Sequence, residues 1–235
     1  MLLCGRIGGR NDPPKETVMT ARPKMLVGKN VPLEPHQKRS LAKRARLKAA
    51  GLALFGEKGY ERTSIEEIAR RANLSVGGFY QHFRSKRQLL LALMEELLEI
   101  LSQLDLRPKA ASDVRSGLRE LLSRAFSVDL RYLGAYRAWQ EAVLSDSTLA
   151  RKQAEIQAWT TTRVMTALQL LQQMPGARSG LDIPVLARVI DSFFWSLLAQ
   201  AVRLPEIELN HWIDSATHLI YHAMFTDPPQ KGKKK

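Results

Sequence analysis

Between positions 63 and 86, apolar residues recur at the spacing of two short α-helices joined by a three-residue turn. The first helix is predicted from an apolar stripe at i, i+3, i+4 and i+7, formed by Ile65, Ile68, Ala69 and Ala72. The turn is Asn73-Leu74-Ser75. In the second helix Phe79 and Phe83, four residues apart, predict one buried edge, and the residues between them predict a polar edge.

Residues with capping chemistry support these boundaries. Thr63 and Glu66 have capping-box spacing, in which the hydroxyl accepts a first-turn amide and the carboxylate reaches back. Ser75 is a preferred N-cap for the second helix. Ser85 and Gln88 repeat the capping-box spacing ahead of a long apolar run. Two helices, a tight turn and a polar second helix are typical of a motif that places a recognition helix in the DNA major groove.

The pattern before and after this motif is also helical. Helices are predicted over 36–58, 86–104, 112–133, 135–144 and 147–174. A last pair is predicted to begin near Pro184 and Pro205. The first of this pair is apolar nearly all round, but it carries Arg188, Asp191 and Gln200, which argue against a membrane span. An all-α fold is therefore expected.

The excess of basic residues lies at the two ends of the chain. The 235 residues carry a net charge of +13, and twelve basic against three acidic residues lie within 1–48. Residues 1–37 are rich in glycine, proline and basic residues and are predicted to be a disordered basic tail, as is 227–235. Such tails suit a polyanion partner through counterion release, although a merely solvated tail is an equal alternative.

Cysteine usage bears on the compartment. Cys4 is the only cysteine, so no disulfide forms within the chain, which fits a reducing cytoplasm. No hydrophobic region precedes Cys4, so a signal peptide is not expected. Met19 and Met25 remain alternatives for the start of translation.

An ordered set of spaced residues resembles the DNA-binding domain of the TetR (tetracycline-repressor) family. It runs from about Arg39 to Leu93, about a quarter of the chain. The matching residues are Ala49-Ala50, Leu54-Phe55, Gly59-Tyr60, Thr63-Ser64-Ile65, Glu67-Ile68-Ala69, Ser75-Val76-Gly77-Gly78-Phe79-Tyr80-Gln81-His82-Phe83 and Ser85-Lys86.

The resemblance implies a domain organisation and a function. It implies an N-terminal three-helix helix-turn-helix head over 38–97, with the motif at about 63–83. A C-terminal helical bundle for ligand binding and dimerisation is expected over 98–226. The implied function is that of a ligand-responsive, DNA-binding transcriptional regulator, a repressor by resemblance, which binds a palindromic double-stranded operator as a homodimer in the cytoplasm.

Nine residues are predicted to contact DNA: Thr63, Ser64, Ser75, Val76, Gly77, Tyr80, Gln81, His82 and Lys86. Five match family positions that touch DNA, namely Thr63, Ser75, Tyr80, His82 and Lys86. Tyr80, His82 and Lys86 can each donate to a phosphate oxygen. The alternative for His82 is packing against neighbouring helices.

The second helix departs from the common family pattern. Where relatives often have a lysine and then Gly-Thr, this chain has Val76, Gly77 and Gly78. Valine can contact only a thymine methyl, and glycine reads no base edge. Gln81 can pair with adenine and is the best remaining direct reader. We therefore expect fewer base contacts and a larger share from phosphates and DNA shape.

Aromatic and sulfur-containing side chains suggest a ligand pocket within the bundle. The candidates are Phe126, Tyr132, Tyr136, Trp139, Trp159, Met165 and Phe194. Each taken alone is more simply a core residue, but together they favour an apolar cavity between helices. A small apolar or weakly polar effector is expected, because charges are sparse on these apolar faces.

The last two helices are expected to dimerise. The resemblance implies that they pair with their two-fold mates as a four-helix bundle. The predicted interface residues are Ile190, Phe193, Leu197, Ile213 and Ile220. A monomeric bundle is the alternative.

Other chemistry has little support in the sequence. His211, Asp214, His218 and His222 share one side of the last helix, but one helix offers poor metal geometry, and neither a metal nor a cofactor is expected. No GxSxG, GxxxxGK[ST] or HExxH motif occurs, so no enzymatic activity is expected. The rival hypotheses are a helical-bundle enzyme or small-molecule-binding protein without DNA function, and an architectural DNA-binding protein without a ligand.

Overall fold

The computed structural model describes residues 21–28, 38–107, 113–201 and 206–226. Within them it contains nine α-helices: α1 Lys38–Lys58, α2 Ile65–Arg71, α3 Val76–Tyr80, α4 Lys86–Ser102, α5 Val114–Arg131, α6 Leu133–Ser145, α7 Ser147–Gln172, α8 Ile183–Ala201 and α9 Glu206–Met224. The only strand-like pairing in these residues is an isolated bridge between Ala177 and Phe225. The predicted all-α fold is confirmed, and the predicted helices end within a few residues of the observed ones.

The N-cap of α2 corrects one prediction. The capping box uses Ser64 and Glu67, not Thr63 and Glu66: the Ser64 hydroxyl accepts the Glu67 amide at 3.2 Å, and the Glu67 carboxylate accepts the Ser64 amide. Thr63 is only 1% exposed, because it points back towards the end of α1. Two adjacent hydroxyl residues, each followed by a glutamate, make the pattern ambiguous in the sequence.

The other caps lie where expected. Ser75 accepts the Gly78 amide at 3.0 Å and begins α3, and Ser85 accepts the Gln88 amide at 3.1 Å and begins α4. The Gln88 side chain accepts from the Arg84 amide rather than from its cap residue. The turn between α2 and α3 passes through Asn73 at φ 53°, a left-handed conformation that asparagine tolerates better than most residues.

Helix α4 joins the N-terminal head to the body. Every residue from Gln88 to Met94 is buried, as the apolar run predicted. On one side α4 packs against α1, where Lys48 pairs with Glu96 at 2.5 Å. On the other it contacts α5 and α6. The head and the body therefore share one hydrophobic core.

Helices α1 and α6 approach each other at a pair of glycines. A Cβ on Gly134 would overlap the carbonyl oxygen of Leu52 and lie 2.9 Å from the Gly56 nitrogen. Only a residue without a side chain allows these backbones to come so close. This crossing fixes the head against the body.

Residues Ala21–Gly28, here called the N-terminal strap, correct the prediction that all of 1–37 is disordered. Met25 is fully buried, and its amide donates to the Glu95 carboxylate on α4 at 2.5 Å. Arg22 pairs with Glu95 at 2.6 Å, and Lys152 on α7 donates to the carbonyl of Lys24 at 2.6 Å. The remaining residues of the predicted tails, 1–20, 29–37 and 227–235, lie outside the described residues.

The buried and exposed faces of α8 and α9 correct the predicted interface. Four of its five residues, Ile190, Leu197, Ile213 and Ile220, are buried within this one chain. Of the five, only Phe193, at 40% exposure, faces outwards. Among the side chains of the two helices that the structure describes, the other large apolar ones exposed are Val185, Val189 and Leu219. Because α8 is apolar nearly all round, its sequence could not show which face packs on α7.

One helix among the described residues, α8, is long and apolar enough to cross a membrane. A single helix of this kind is weak evidence for a span, because helices that belong to the core of a protein meet the same criteria. The inner face of α8 packs against α7 and α6.

Candidate nucleic-acid interface and ligand cavity

Helix α3 presents two distinct edges. Phe79 in α3 and Phe83, three residues beyond its end, are 0% and 1% exposed and anchor one edge in the core. The opposite edge is open, with Tyr80 at 53% and Val76 at 37% exposure, and Gly77 and Gln81 are exposed as well. The orientation predicted from the two phenylalanines is therefore the one observed, and a polar surface is available to a groove.

Two of the predicted contact residues are serines that cap helices. Ser64 and Ser75 each use the hydroxyl oxygen as acceptor for a backbone amide. Their hydroxyl hydrogens are not used in these bonds, and Ser75 is exposed. Each serine can therefore cap its helix and at the same time donate a hydrogen bond to an external oxygen.

Packing at Gly77 leaves the surface of α3 open. A Cβ built at Gly77 would meet a single atom within 4 Å, the Ser75 hydroxyl oxygen at 3.8 Å. The fold therefore does not require glycine at this position. A bare backbone here allows another chain to approach closely, and this agrees with the expectation of contacts to a sugar–phosphate strand.

Thr63 does not fit its predicted role. Its hydroxyl lies within the core, 2.7 Å from the Gly59 carbonyl and 3.3 Å from the Leu54 carbonyl, and donates to them. A buried hydroxyl whose hydrogen is already donated cannot reach a phosphate. The side chain closes the connection between α1 and α2.

His82 also lies inside the head, at 6% exposure. Burial lowers the pKa of its imidazole, and the nearby charges of Arg44 and Lys43 lower it further. The ring is therefore neutral at neutral pH and packs against neighbouring helices, which was the alternative interpretation. Its predicted phosphate contact does not fit this geometry.

The ammonium group of Lys86 forms hydrogen bonds within the protein in this conformation. Its ammonium group donates to the carbonyls of Tyr60 at 2.6 Å and Thr63 at 2.9 Å, and it lies 4.3 Å from the centre of the Tyr60 ring. Partial burial lowers the pKa of Lys86. The residue ties the start of α4 to the connection between α1 and α2, so its first role is to position α3.

A cavity of about 170 Å³ lies in the body, between α4, α5, α6, α7, α8 and α9. Four of the predicted ligand residues line it: Phe126, Tyr136, Trp159 and Phe194. Tyr132, Trp139 and Met165 do not line it. Trp139 is buried beside α7, where its ring nitrogen donates to Gln153 at 2.6 Å. Burial and the neighbouring Glu96 raise the pKa of Tyr132 to about 12.

Charged residues missed by the sequence analysis also line the cavity. Tyr136 donates to Asp129 at 3.0 Å, and Thr161 donates to Asp191 at 2.8 Å. Burial raises the pKa of Asp129 to about 7 and raises that of Asp191. Isolated acids within apolar helices were a signal in the sequence, since such residues are rarely buried unless they have a role.

Arg163 lines a different part of the cavity wall. Its guanidinium donates to the carbonyls of Leu104 at 3.1 Å and Ser102 at 3.5 Å, at the end of α4. It also lies 5.2 Å from the centre of the Trp159 ring. Burial lowers the pKa of Arg163.

The acidic and histidine residues along α9 are tied to α5. Arg119 pairs with Asp214 at 2.6 Å, and Arg115 lies 3.4 Å from His218. The His218 ring is tilted by 59° against that of His222, with the ring centres 4.2 Å apart. In the part of the chain that the structure describes, no group of three or more His, Cys, Asp or Glu side chains is arranged to hold a metal ion.

The fold and the site define an all-α protein with a helix-turn-helix head and an internal cavity. Residues 47–93 match the sequence profile of the bacterial regulatory proteins, tetR family. The helix-turn-helix head of this chain is therefore similar to that of the TetR family.

Two curated relatives match over short segments of this chain. The chain is 49% identical over 45 residues to the transposon Tn10 TetC protein of Escherichia coli. It is 43% identical over 53 residues to the HTH-type transcriptional regulator YerO of Bacillus subtilis. These matches cover 19% and 23% of this chain, which spans 23% and 18% of the lengths of the two relatives.

Solved structures match across the whole fold. SmeT, the repressor of the Stenotrophomonas maltophilia multidrug efflux pump SmeDEF, is 23% identical with a TM-score of 0.59, covering 81% of this chain and 94% of SmeT. The SmeT–triclosan complex gives a TM-score of 0.61 and covers 83% and 99% of the two chains. At this identity the likeness shows the fold.

Proposed function

We propose that this chain is an effector-responsive transcriptional regulator that binds a palindromic operator as a homodimer and represses transcription. The observation that carries the proposal is the orientation of α3: Phe79 and Phe83 are buried while Tyr80 and Gln81 face outwards. In this role Tyr80, Ser64 and Ser75 donate to phosphates, Gln81 reads a base edge, and Val76 and Gly77 lie against the groove.

Charge around the head supports a polyanionic partner. Four basic side chains of α1, Lys38, Arg39, Lys43 and Arg46, are exposed. Phosphate neutralisation by such residues releases counterions, so binding would weaken steeply with salt. A DNA partner places the chain in the cytoplasm, in agreement with its single cysteine.

The outward apolar face of α8 and α9 supports a dimer. Val185, Val189 and Phe193 on α8 and Leu219 on α9 are 40–60% exposed in the single chain. A two-fold interface uses the same surface on both protomers, and the exposed apolar residues of α8 lie at a spacing of four along one side of that helix. The proposed interface is therefore this side of α8, with Phe193 retained from the sequence prediction, together with Leu219 on α9.

Helix α6 supplies a physical connection between the cavity and the head. Tyr136 lines the cavity, and the next residue, Arg137, donates to the Gly56 carbonyl on α1 at 2.7 Å. One turn on, Glu141 accepts the Tyr60 amide at 2.6 Å. An effector that displaces Tyr136 would move α1, and it acts on DNA binding only if it binds the two arrangements unequally.

The test uses the purified full chain and genomic DNA. Fragments retained by the tagged protein are sequenced, and one is used in a mobility shift over a salt series. We expect a palindromic site, a stoichiometry of two chains per site and a steep negative salt slope. The absence of any DNA binding would support the rival hypothesis of a small-molecule-binding protein without DNA function.

A further inference from the structure

Two carboxyl groups lie at one end of the cavity. Asp129 and Asp191 both line it, and Tyr136 is hydrogen-bonded to Asp129 and close enough to Asp191 to feel its charge. Asp191 is only 6% exposed. Apart from Thr160 and Arg163, the rest of the lining is apolar or aromatic.

Neither carboxyl group forms an ion pair with a basic residue that the structure describes. The partners are neutral hydroxyls: Tyr136 for Asp129, and Thr161 with Thr160 for Asp191. Arg163 lines the cavity too, but its guanidinium is bonded to carbonyls at the end of α4. A buried acid without a counterion is unfavourable, so this end of the cavity lacks a positive charge.

Aromatic rings line the cavity as well, and Trp195 contacts Tyr136. The Tyr136 and Trp195 rings meet edge to face at 5.7 Å, and the Phe126 and Phe194 rings do so at 5.3 Å. The ring faces of tyrosine, tryptophan and phenylalanine attract cations that have left water. Carboxyl groups and aromatic faces together are chemistry suited to an organic cation.

We infer that the cavity binds a small lipophilic cation, an amine or quaternary ammonium compound, with its charge at the end formed by Asp129 and Asp191. The inference rests on the proposed function in taking the cavity as the effector site. The apolar body of the ligand lies against the leucines and Phe194. The sequence predicted an apolar or weakly polar effector, because the chain order does not show that the two acids meet in the cavity wall.

The ionisation of the carboxyls supports this ligand class. Burial raises the pKa of Asp129 to about 7, so this group is partly protonated in the empty protein at neutral pH. A cation beside it lowers the pKa again and releases the proton to the buffer. Calorimetry in buffers of different ionisation enthalpy measures this proton release directly.

The experiment compares three probes built on one shape. Phenyltrimethylammonium is the cation, tert-butylbenzene replaces its nitrogen by carbon, and 2-methyl-2-phenylpropanoate carries a carboxylate in place of one methyl. Binding to the full chain without DNA is measured by titration calorimetry and by the fluorescence of the cavity tryptophans. We expect the cation to bind about tenfold or more tightly than the neutral probe, with proton release at neutral pH.

Variants assign the preference to the carboxyl groups. Asp129→Asn and Asp191→Asn keep the shape and the hydroxyl bonds but remove the charges, so the preference for the cation should fall about tenfold while neutral-probe binding stays the same. Asp214→Asn, which removes an exposed acid on α9, is the control and should change nothing. Because two separate substitutions are tested, the inference can still be checked if one of the two variants does not fold.

The outcomes separate this inference from the proposed function. Tighter binding of the neutral probe, or of the carboxylate through Arg163, would overturn the cation assignment and leave the DNA-binding proposal intact. A cation preference that the two variants do not change would also overturn it. If the protein prefers the cation but retains no DNA fragment, the proposed function as a transcriptional regulator is overturned, and the inference about the ligand class stands.

Discussion

Tyr136 and Arg137 are consecutive residues of α6 that bind on opposite sides of it. The Tyr136 hydroxyl donates to Asp129 in the cavity wall, whereas Arg137 donates to the Gly56 carbonyl in α1. Only the thickness of helix α6 therefore separates the cavity, the proposed effector site, from α1 in the head. A change at the cavity has a short route to the head, through packed backbone and hydrogen bonds.

The contact between α1 and α6 can be tested with two glycines. Gly134→Ala would push a methyl group into the Leu52 carbonyl, and backbone atoms cannot swing aside. We expect a loss of about 1–3 kcal/mol in the free energy of unfolding, measured by urea denaturation. Gly56→Ala is the control, since its methyl would lie 3.5 Å from the Gly134 Cα. Equal effects of the two substitutions would mean that the crossing is not tight.

Tyr80→Phe tests the proposed phosphate contact. The exposed hydroxyl is removed and the ring is kept, so binding should weaken about tenfold for every duplex alike. The salt slope should not change, because the hydroxyl carries no charge. Gln81→Ala is the comparison. Its loss of affinity should be greater for sites that carry adenine at the base that Gln81 contacts. A loss for Tyr80→Phe that depends on base sequence would contradict the assignment.

Asp129 predicts a pH dependence of stability. Its folded pKa is about 7, above its usual value of 3.8, so the folded state holds a proton that the unfolded chain releases between about pH 4 and 7. This contribution is fully present below pH 4 and is lost as the pH rises through 7. Asp129→Asn should therefore gain stability relative to the parent chain between pH 4 and 8, by about 1–4 kcal/mol.

Urea unfolding of the two proteins at a series of pH values gives this difference directly. Asp191, whose pKa burial also raises, is present in both proteins and cancels in the comparison. The Tyr136 hydroxyl does not titrate in this range, because its pKa lies well above 10. A flat difference from pH 4 to 8 would show that Asp129 ionises normally.

Met25 tests whether the N-terminal strap belongs to the fold. Its side chain is fully buried, so Met25→Ala should lower the free energy of unfolding by about 2–5 kcal/mol. Val27→Ala, two residues away at 46% exposure, should change it by less than about 0.5 kcal/mol. Thermal and urea unfolding of both variants measure the contrast. If the two variants were equally stable, the N-terminal strap would be only loosely attached to the rest of the protein.

The orientation of α3 could be predicted from the sequence because Phe79 and Phe83 supply the buried edge within five consecutive positions. Local periodicity is enough where one face is apolar and the other polar. In α8 both faces are apolar, so Ile190 and Val189 could not be told apart, although one is buried and the other 60% exposed.

Tertiary contacts decide what local pattern leaves open. Thr63 and Ser64 both have capping chemistry, and only the position of α1 shows which is buried. The strap lacks any periodic pattern, and Met25 is held by Glu95, which lies 70 positions along the chain. The cavity acids were missed for the same reason, since their proximity depends on how α5, α7 and α8 meet.

The shared core has a consequence for how this protein comes apart. Phe79 in α3, Leu89 in α4 and Trp139 in α6 belong to one continuous apolar cluster. A head excised at α4 would expose that cluster to water, so heating should melt head and body in a single cooperative transition. If the proposed function holds, a destabilising substitution in the cavity wall would reduce operator binding by lowering the amount of folded protein, even where no DNA contact has changed.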